Sequence, residues 1–418
     1  MSSSHNNWPM LPLADVVRDD KPIVYGIVQA GPECPGGVPY IKSTDVRGAF
    51  DPYSLSRTSR EIADRYRRSI VRPGDIVFSL RGNIGELCIV PAELGEANLT
   101  QGTARISVNG HVSNEYVAFA LREPSFQRGI ARLGKGSTFQ EISLEALRKL
   151  EIPLPPLPEQ RKIAEILRTW DDAIEKLTAL RKANLSRRVW MRSHLFTGRK
   201  RLPGHNGEWC EVALGQVLTE HGLNGTGAEE VFSVSVHKGL INQIEHLGRS
   251  FAAADTGHYN RVLPGDIVYT KSPTGEFPLG IIKQSKIAQE VIVSPLYGVF
   301  TPATHALGVI LDALFESPIA VRNYLHPLVQ KGAKNTIAIT NRRFLEGKLR
   351  LPMDPAEQAA IAEVAITTQA ELACIDAEID ALTRQKRGLM QKLLTGEWRV
   401  KVDATAPSNP ARETTDAG

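Results

Sequence analysis

The sequence predicts an α+β chain in which two homologous globular domains are separated by two long helices, packed on each other as an intramolecular coiled coil. Three observations carry this. A stretch of about forty residues occurs twice without a gap, and in both copies its apolar residues step by three or four. The block before each copy alternates short β-type runs with Gly- and Pro-marked turns.

The repeat is plainest in its second part. PPLPEQRKIAEIL, starting at Pro155 and leading to LFTG, is answered by DPAEQAAIAEVA, starting at Asp354 and leading to LLTG. Glu159 and Glu357 are 198 positions apart, as are Gly198 and Gly396, Gln160 and Gln358, and Thr197 and Thr395. Upstream the likeness is looser: VRPGDIVFSL from Val71 matches VLPGDIVYTK from Val262, and Trp8…Leu13…Val16 matches Trp209…Leu214…Val217. The drifting offset there fits insertions in surface loops.

Helical spacing places Ile163, Ile166, Trp170, Ile174, Leu177 and Leu180 on one seam, and Ile361, Val364, Leu372, Ile375 and Leu382 on the other. The seams are narrow and flanked by charges, the pattern of a coiled coil rather than of a fully buried helix. Asp354-Pro355-Ala356-Glu357 reads as an N-cap, a first-turn proline and a capping-box glutamate, and Gly198 and Gly396 as C-terminal stops. Forty residues make a rod of about 60 Å that is unstable alone, and the most economical partner for each rod is its own copy.

In the variable blocks, PGDIVFSL, PGDIVYTK, CIVP, ARISV and GVIL read as strands. Ser143 and Thr340 cap short helices, LEALRKL and NRRFLEG. The tail from Val402 is rich in Pro, Ala, Thr and Asp and reads as disordered.

Composition is that of a soluble globular chain of 418 residues, with 42 % hydrophobic and 23 % charged residues and a formal charge of +4, so only a local basic face would argue for an anionic partner. Cys34, Cys88, Cys210 and Cys374 have no zinc-ligand spacing and read as reduced, half-buried thiols. MSSSHNNWPM lacks the features of a signal peptide, and no run is long enough to span a bilayer; a soluble cytoplasmic protein is expected.

No catalytic constellation stands out. Asp75 and Asp266 follow the PGD turns without a downstream Glu-x-Lys, and read as turn residues rather than metal ligands. The segment from Gly129 to Lys135 has P-loop spacing, but Gly136 stands where Ser or Thr would hold magnesium. What remains is a set of binding residues: a basic run with Arg57, Arg60, Arg65, Arg67, Arg68 and Arg72; Arg81 and Lys271 after the PGD strands; and Gly-containing loops with Lys135, Ser137, Thr138 and Gln140, and with Lys331, Lys334, Asn335 and Thr336. Such residues suit phosphates and base edges.

The PGDIVFS/PGDIVYT turns, IPLPPLPEQRKIAEIL with its echo LPMDPAEQAAIAEV, the endings LFTG and LLTG, and the variable–helical–variable–helical order resemble the specificity (S) subunits of type I restriction–modification enzymes, over roughly residues 8 to 400. The resemblance implies two target-recognition domains (1–157 and 204–354) and two spacer helices (158–203 and 355–400) forming an antiparallel coiled coil, with a disordered tail at 401–418. It implies recognition of a bipartite, asymmetric double-stranded DNA sequence and partnership with two methyltransferase and two motor–nuclease subunits. S-adenosylmethionine, ATP and magnesium would be bound by those partners, and the S subunit itself would hold no cofactor and perform no catalysis. The reading of a different class is a coiled-coil scaffold whose heads bind protein or glycan; a self-sufficient nuclease is a third.

Overall fold

The computed structural model describes residues 8–48, 50–133, 141–247, 256–331 and 337–402. Two compact units emerge: one takes the residues up to Lys176 together with those from Ile379, and the other is Leu177–Glu378. The expected disordered tail, apart from its first residues, lies outside the described residues.

In the first unit the PGD turn, with Gly74 at φ 89°, feeds strand Ile76–Ser79. This strand is central in an antiparallel sheet whose order is Val24–Tyr25, Thr103–Ile106, Ile76–Ser79, Leu87–Ile89. All four of its residues are buried, because both faces of the sheet are covered. Ile76 and Phe78 enter the main core, while Val77, one residue out of phase, enters a second cluster with Ile41, Val71 and Leu99. Helix Asn114–Arg122, N-capped by Ser113, supplies Tyr116 and Phe119 to the main core.

The second unit repeats this arrangement. Its sheet runs Leu218–Glu220, Gly298–Pro302, Ile267–Tyr269, Ile282–Gln284. Ile267 and Tyr269 face the main core, and Val268 a second cluster with Val262, Val293 and Val299. Helix His305–Phe315, capped by Thr304, corresponds to Asn114–Arg122. It contains Gly308–Leu311, the GVIL read as a strand from sequence. That expectation is corrected: a short apolar run carries no period of its own, and here Leu307, Ile310, Leu311 and Leu314 are the buried face of a longer helix.

The opening strand of each half pairs antiparallel with the segment leading into a long helix: Met10–Pro12 with Glu151–Pro153, and Trp209–Ala213 with Lys348–Pro352. The long helices span Leu157–His194 and Pro355–Leu394. Gly198 and Gly396 lie just beyond them at φ 69° and 72°, the left-handed conformation that ends a helix at little steric cost for glycine. In the first unit Ile163 and Leu167 share a core with Met390 and Leu393, and Asp171 meets Lys386. In the second, Met191 and Leu195 share a core with Ile361, Arg181 meets Asp376 and Arg187 meets Glu371. In each unit numbering falls along one helix as it rises along the other, so the pair is antiparallel.

Of the seam residues, Ile163, Ile361, Leu372 and Ile375 are buried, and Ile166, Trp170, Ile174, Leu177, Val364 and Leu382 are half-buried. Leu180 is exposed, contrary to its spacing. Two helices alone cover only a narrow stripe, whereas the ends, where the globules add their cores, also bury Ala164, Leu167 and Ala362.

Candidate nucleic-acid interface

The PGD aspartates are structural. Asp75 accepts from the Arg72 backbone N–H (2.8 Å) and the Ser107 hydroxyl (2.6 Å). Asp266 accepts from the Leu263 N–H (2.8 Å) and the Thr301 hydroxyl (2.7 Å), and lies 2.9 Å from His221 Nε2. Both carboxylates are buried and occupied, as turn-forming aspartates are.

Arg81 lies just past strand Ile76–Ser79 and is tied to Glu141, Nε to Oε2 at 2.7 Å, with its side chain 45 % exposed. Part of its charge is already spent on a protein carboxylate. Lys271, in the corresponding place after Ile267–Tyr269, is exposed; partial desolvation lowers its ammonium pKa and Glu220 pulls the other way. Lys135, Ser137, Thr138, Gln140, Lys334, Asn335 and Thr336 lie outside the described residues, and of Lys331 only the backbone is described, in a two-residue strand paired with Ile337–Ala338. Gly129 sits inside helix Pro124–Leu133 and not in a phosphate-cradling loop.

The basic run is sorted by its partners. Arg57 donates to the Gly37 carbonyl (2.8 Å), and Arg60, Arg65 and Arg72 reach Asp64, Glu61 and Glu96. Arg67 and Arg68 have no carboxylate within 4 Å among the described residues. With Lys21, Arg72 and Arg105 they line an open cleft of about 410 Å³. Arg105 is not conspicuous in the sequence: it sits alone in ARISV, where alternation suggests only a strand.

A second constellation ties each globule to the helices. Glu159 and Gln160 open the first long helix, and Glu357 and Gln358 the second; all four are buried. Arg399 donates to Glu159 at 2.6 and 2.7 Å, and Arg201 to Glu357 at 2.5 and 2.6 Å. Arg399 stacks over Trp8 at 5.3 Å and Arg201 over Trp209 at 5.8 Å. Gln160 donates to the Pro155 carbonyl and accepts from the Ser113 N–H, both at 2.8 Å; Gln358 donates to the Pro352 carbonyl (2.8 Å) and accepts from Thr304 (3.2 Å). The glutamine thus locks the helix start to the segment just before it and to the cap of the neighbouring helix. The capping-box reading of Glu357 is corrected, because its carboxylate is taken by Arg201 and the Trp209 indole N–H (3.1 Å); Asp354 does cap, accepting from the Ala356 N–H at 3.2 Å.

Comparison with known proteins places this geometry. The family profile described as "Type I restriction modification DNA specificity domain" matches residues 29–185. The chain is 30 % identical over 175 residues to the type I restriction enzyme EcoBI specificity subunit of Escherichia coli, and 22 % identical over 428 residues to the MjaVIII specificity subunit of Methanocaldococcus jannaschii, covering 94 % of both chains. The crystal structure of the type I restriction–modification S subunit from M. genitalium superposes with a TM-score of 0.60 at 16 % identity, covering 94 % of this chain and 98 % of that one. Residues 29–185 thus resemble a type I restriction–modification DNA specificity domain, and the fold of nearly the whole chain is similar to that of a solved S subunit. A chain from a structure of complex assembly and conformational transition of the type I R-M system matches with a TM-score of 0.52 at 16 % identity, over 95 % of this chain and all of that one. The E. coli relative is matched over 37 % of its length. Among the described residues no helix is long and apolar enough to cross a membrane.

The sheet order and the Glu–Gln clasp occur in both halves of the chain. The cysteines are free, but not uniformly half-buried: Cys88 is buried, Cys34 and Cys210 are intermediate and Cys374 is exposed.

Proposed function

We propose that this chain is the sequence-specific DNA-binding subunit of a type I restriction–modification complex. In this reading it recognises a bipartite, asymmetric duplex target and directs the methyltransferase and motor–nuclease subunits to it, performing no catalysis itself. The observation that carries the proposal is the duplicated build, with the same sheet order in both halves and the same carboxylate–arginine–tryptophan clasp at the start of each long helix. Two reading heads of one lineage suit a target in two halves. Residues 1–157 and 204–354 would be the target-recognition domains, 158–203 and 355–400 the spacers and 401–418 a tail. Arg81, Lys271 and the loops with Lys135, Ser137, Thr138, Gln140, Lys331, Lys334, Asn335 and Thr336 would approach the DNA. Two methyltransferase and two motor–nuclease subunits would assemble with it in the cytoplasm, and S-adenosylmethionine, ATP and magnesium would belong to those subunits.

The test is co-expression with a type I modification subunit from the same host, followed by sequencing of methylated positions across the host genome. A split motif with an unread spacer is expected, together with duplex binding that weakens steeply with salt. A complex that methylates no split motif, or a chain that retains a protein or glycan ligand but no DNA at low salt, would overturn the reading.

A further inference from the structure

Arg105 occupies the middle of the central sheet, opposite Val77 on one side and Val24 on the other, and is 5 % exposed. Its guanidinium donates to two backbone carbonyls, Ile70 (2.8 Å) and Pro22 (3.3 Å), and its buried Nε has no partner among the described residues. No carboxylate among the described residues touches it. The nearby Asp75 is engaged by Arg72 N–H and Ser107, and Asp20 is held at two points by Arg18, both at 2.9 Å. A buried cation that no carboxylate contacts is costly: Asp75 and Asp20 favour its charge only through space, and neutral carbonyls relieve only part of the cost.

The fold does not require this charge. Ile76 and Ile267 correspond across the repeat, and the strand registers pair Val77 with Arg105 and Val268 with Val299. Val299 is the second half's residue at the position of Arg105, and it packs in an apolar cluster with Val268. One half closes this place with hydrocarbon; the other sets a guanidinium beneath an open cleft of about 410 Å³ rimmed by Lys21, Arg67, Arg68 and Arg72, with Asp20 the lone acid in its lining. Arg72 is loosely held by Glu96 at 3.9 Å. Five cations around one concavity make a seat for a compact, multivalent oxygen anion.

We propose that this cleft is a phosphate seat of the first half only, taking a backbone phosphate of duplex DNA, with Arg105 as its floor and Arg67 and Arg68 as its rim. The proposal rests on the DNA-reading role proposed for the chain. It makes the two heads unequal: the first has an anchoring point, indifferent to sequence, that the second lacks at the matching position.

The experiment uses the full chain and a fluorescent duplex without a target site, with anisotropy measured across a chloride series. R67A/R68A removes two exposed side chains, and R105V installs the second half's residue; circular dichroism and melting curves report whether each folds. The expected result is a plot of log K against log salt that is shallower than wild type by about 0.9 for each phosphate no longer neutralised. Inorganic phosphate, tested against chloride of equal ionic strength, should compete with DNA on the wild type and lose that advantage in both variants. An unchanged slope in folded R67A/R68A overturns the proposal. So does phosphate binding abolished by R105V with the DNA slope unchanged, which would assign the seat to free phosphate. A wild-type chain that binds no duplex at any salt overturns the DNA-reading role itself, a different and separately visible failure.

Discussion

Arg399 closes on Glu159 across 240 positions of sequence, and Arg201 closes on Glu357 in the same way in the other half. In each pair the carboxylate opens one long helix and the arginine follows the end of the other, three residues past the terminal glycine. The bond therefore staples a helix start to a helix end where a globule's core meets both. Each arginine also covers a tryptophan from the opening of its half, but only Trp209 bonds its partner glutamate; the buried Trp8 indole N–H has no acceptor among the described residues.

The two staples are not equally sheltered. Glu357 is fully buried, whereas the Arg399 side chain opposite Glu159 is 51 % exposed. Removing an arginine leaves its glutamate buried and uncompensated, so R201M should cost about 3 kcal/mol. R399M should cost less, because water reaches that pair. Urea denaturation of the two variants against wild type measures the difference, and equal losses would contradict the ranking.

Gln160 and Gln358 each satisfy a carbonyl and a cap. Q160L deprives the Pro155 carbonyl and the Ser113 N–H of a partner, and Q358L the Pro352 carbonyl and the Thr304 hydroxyl, so a loss of about 2 kcal/mol is expected from each in urea denaturation. Replacement by Glu, which keeps the acceptor and loses the donor, should also destabilise.

Gly198 sits at φ 69°, and a Cβ built there would lie 2.6 Å from the Trp209 ring. G198A therefore meets both backbone strain and a clash with a packed indole, and a loss of at least about 1–2 kcal/mol should appear as a lower melting temperature.

Burial pushes the Cys88 thiol from its ordinary 9.0 up to about 12. The native state keeps this proton after the unfolded chain has released it, so the contribution of Cys88 is whole below pH 9 and is lost as pH rises towards 12. At about pH 8, below the ordinary thiol range, a thiol reagent should label exposed Cys374 first and Cys88 only on unfolding. Prompt labelling of Cys88 would contradict its burial.

If the proposed function holds, exchange of residues 205–350 for the variable block of a type I specificity subunit should alter one half of the methylated motif and leave the other intact. Methylome sequencing reads this directly, and a change in both halves would argue against independent heads.

Sequence alone determined what repeats and what is periodic. The 198-residue offset, the helical stepping, the Ser143 and Thr340 caps, the terminal glycines and the PGD turns are all written in the chain itself, the last four through neighbours a few residues away. Such local geometry leaves a local pattern. Tertiary structure decided what each polar residue does with its charge. Nothing around Glu357 in the sequence distinguishes a capping-box acid from the partner of Arg201, and nothing around Arg105 distinguishes a surface arginine from the floor of a cleft. GVIL took its helical form from a cap and a core outside the run itself. The physical reason is range: a hydrogen bond within a helix turn joins residues three or four apart, whereas the contacts that fix these charges join residues as much as 240 apart, and only the folded chain brings them together.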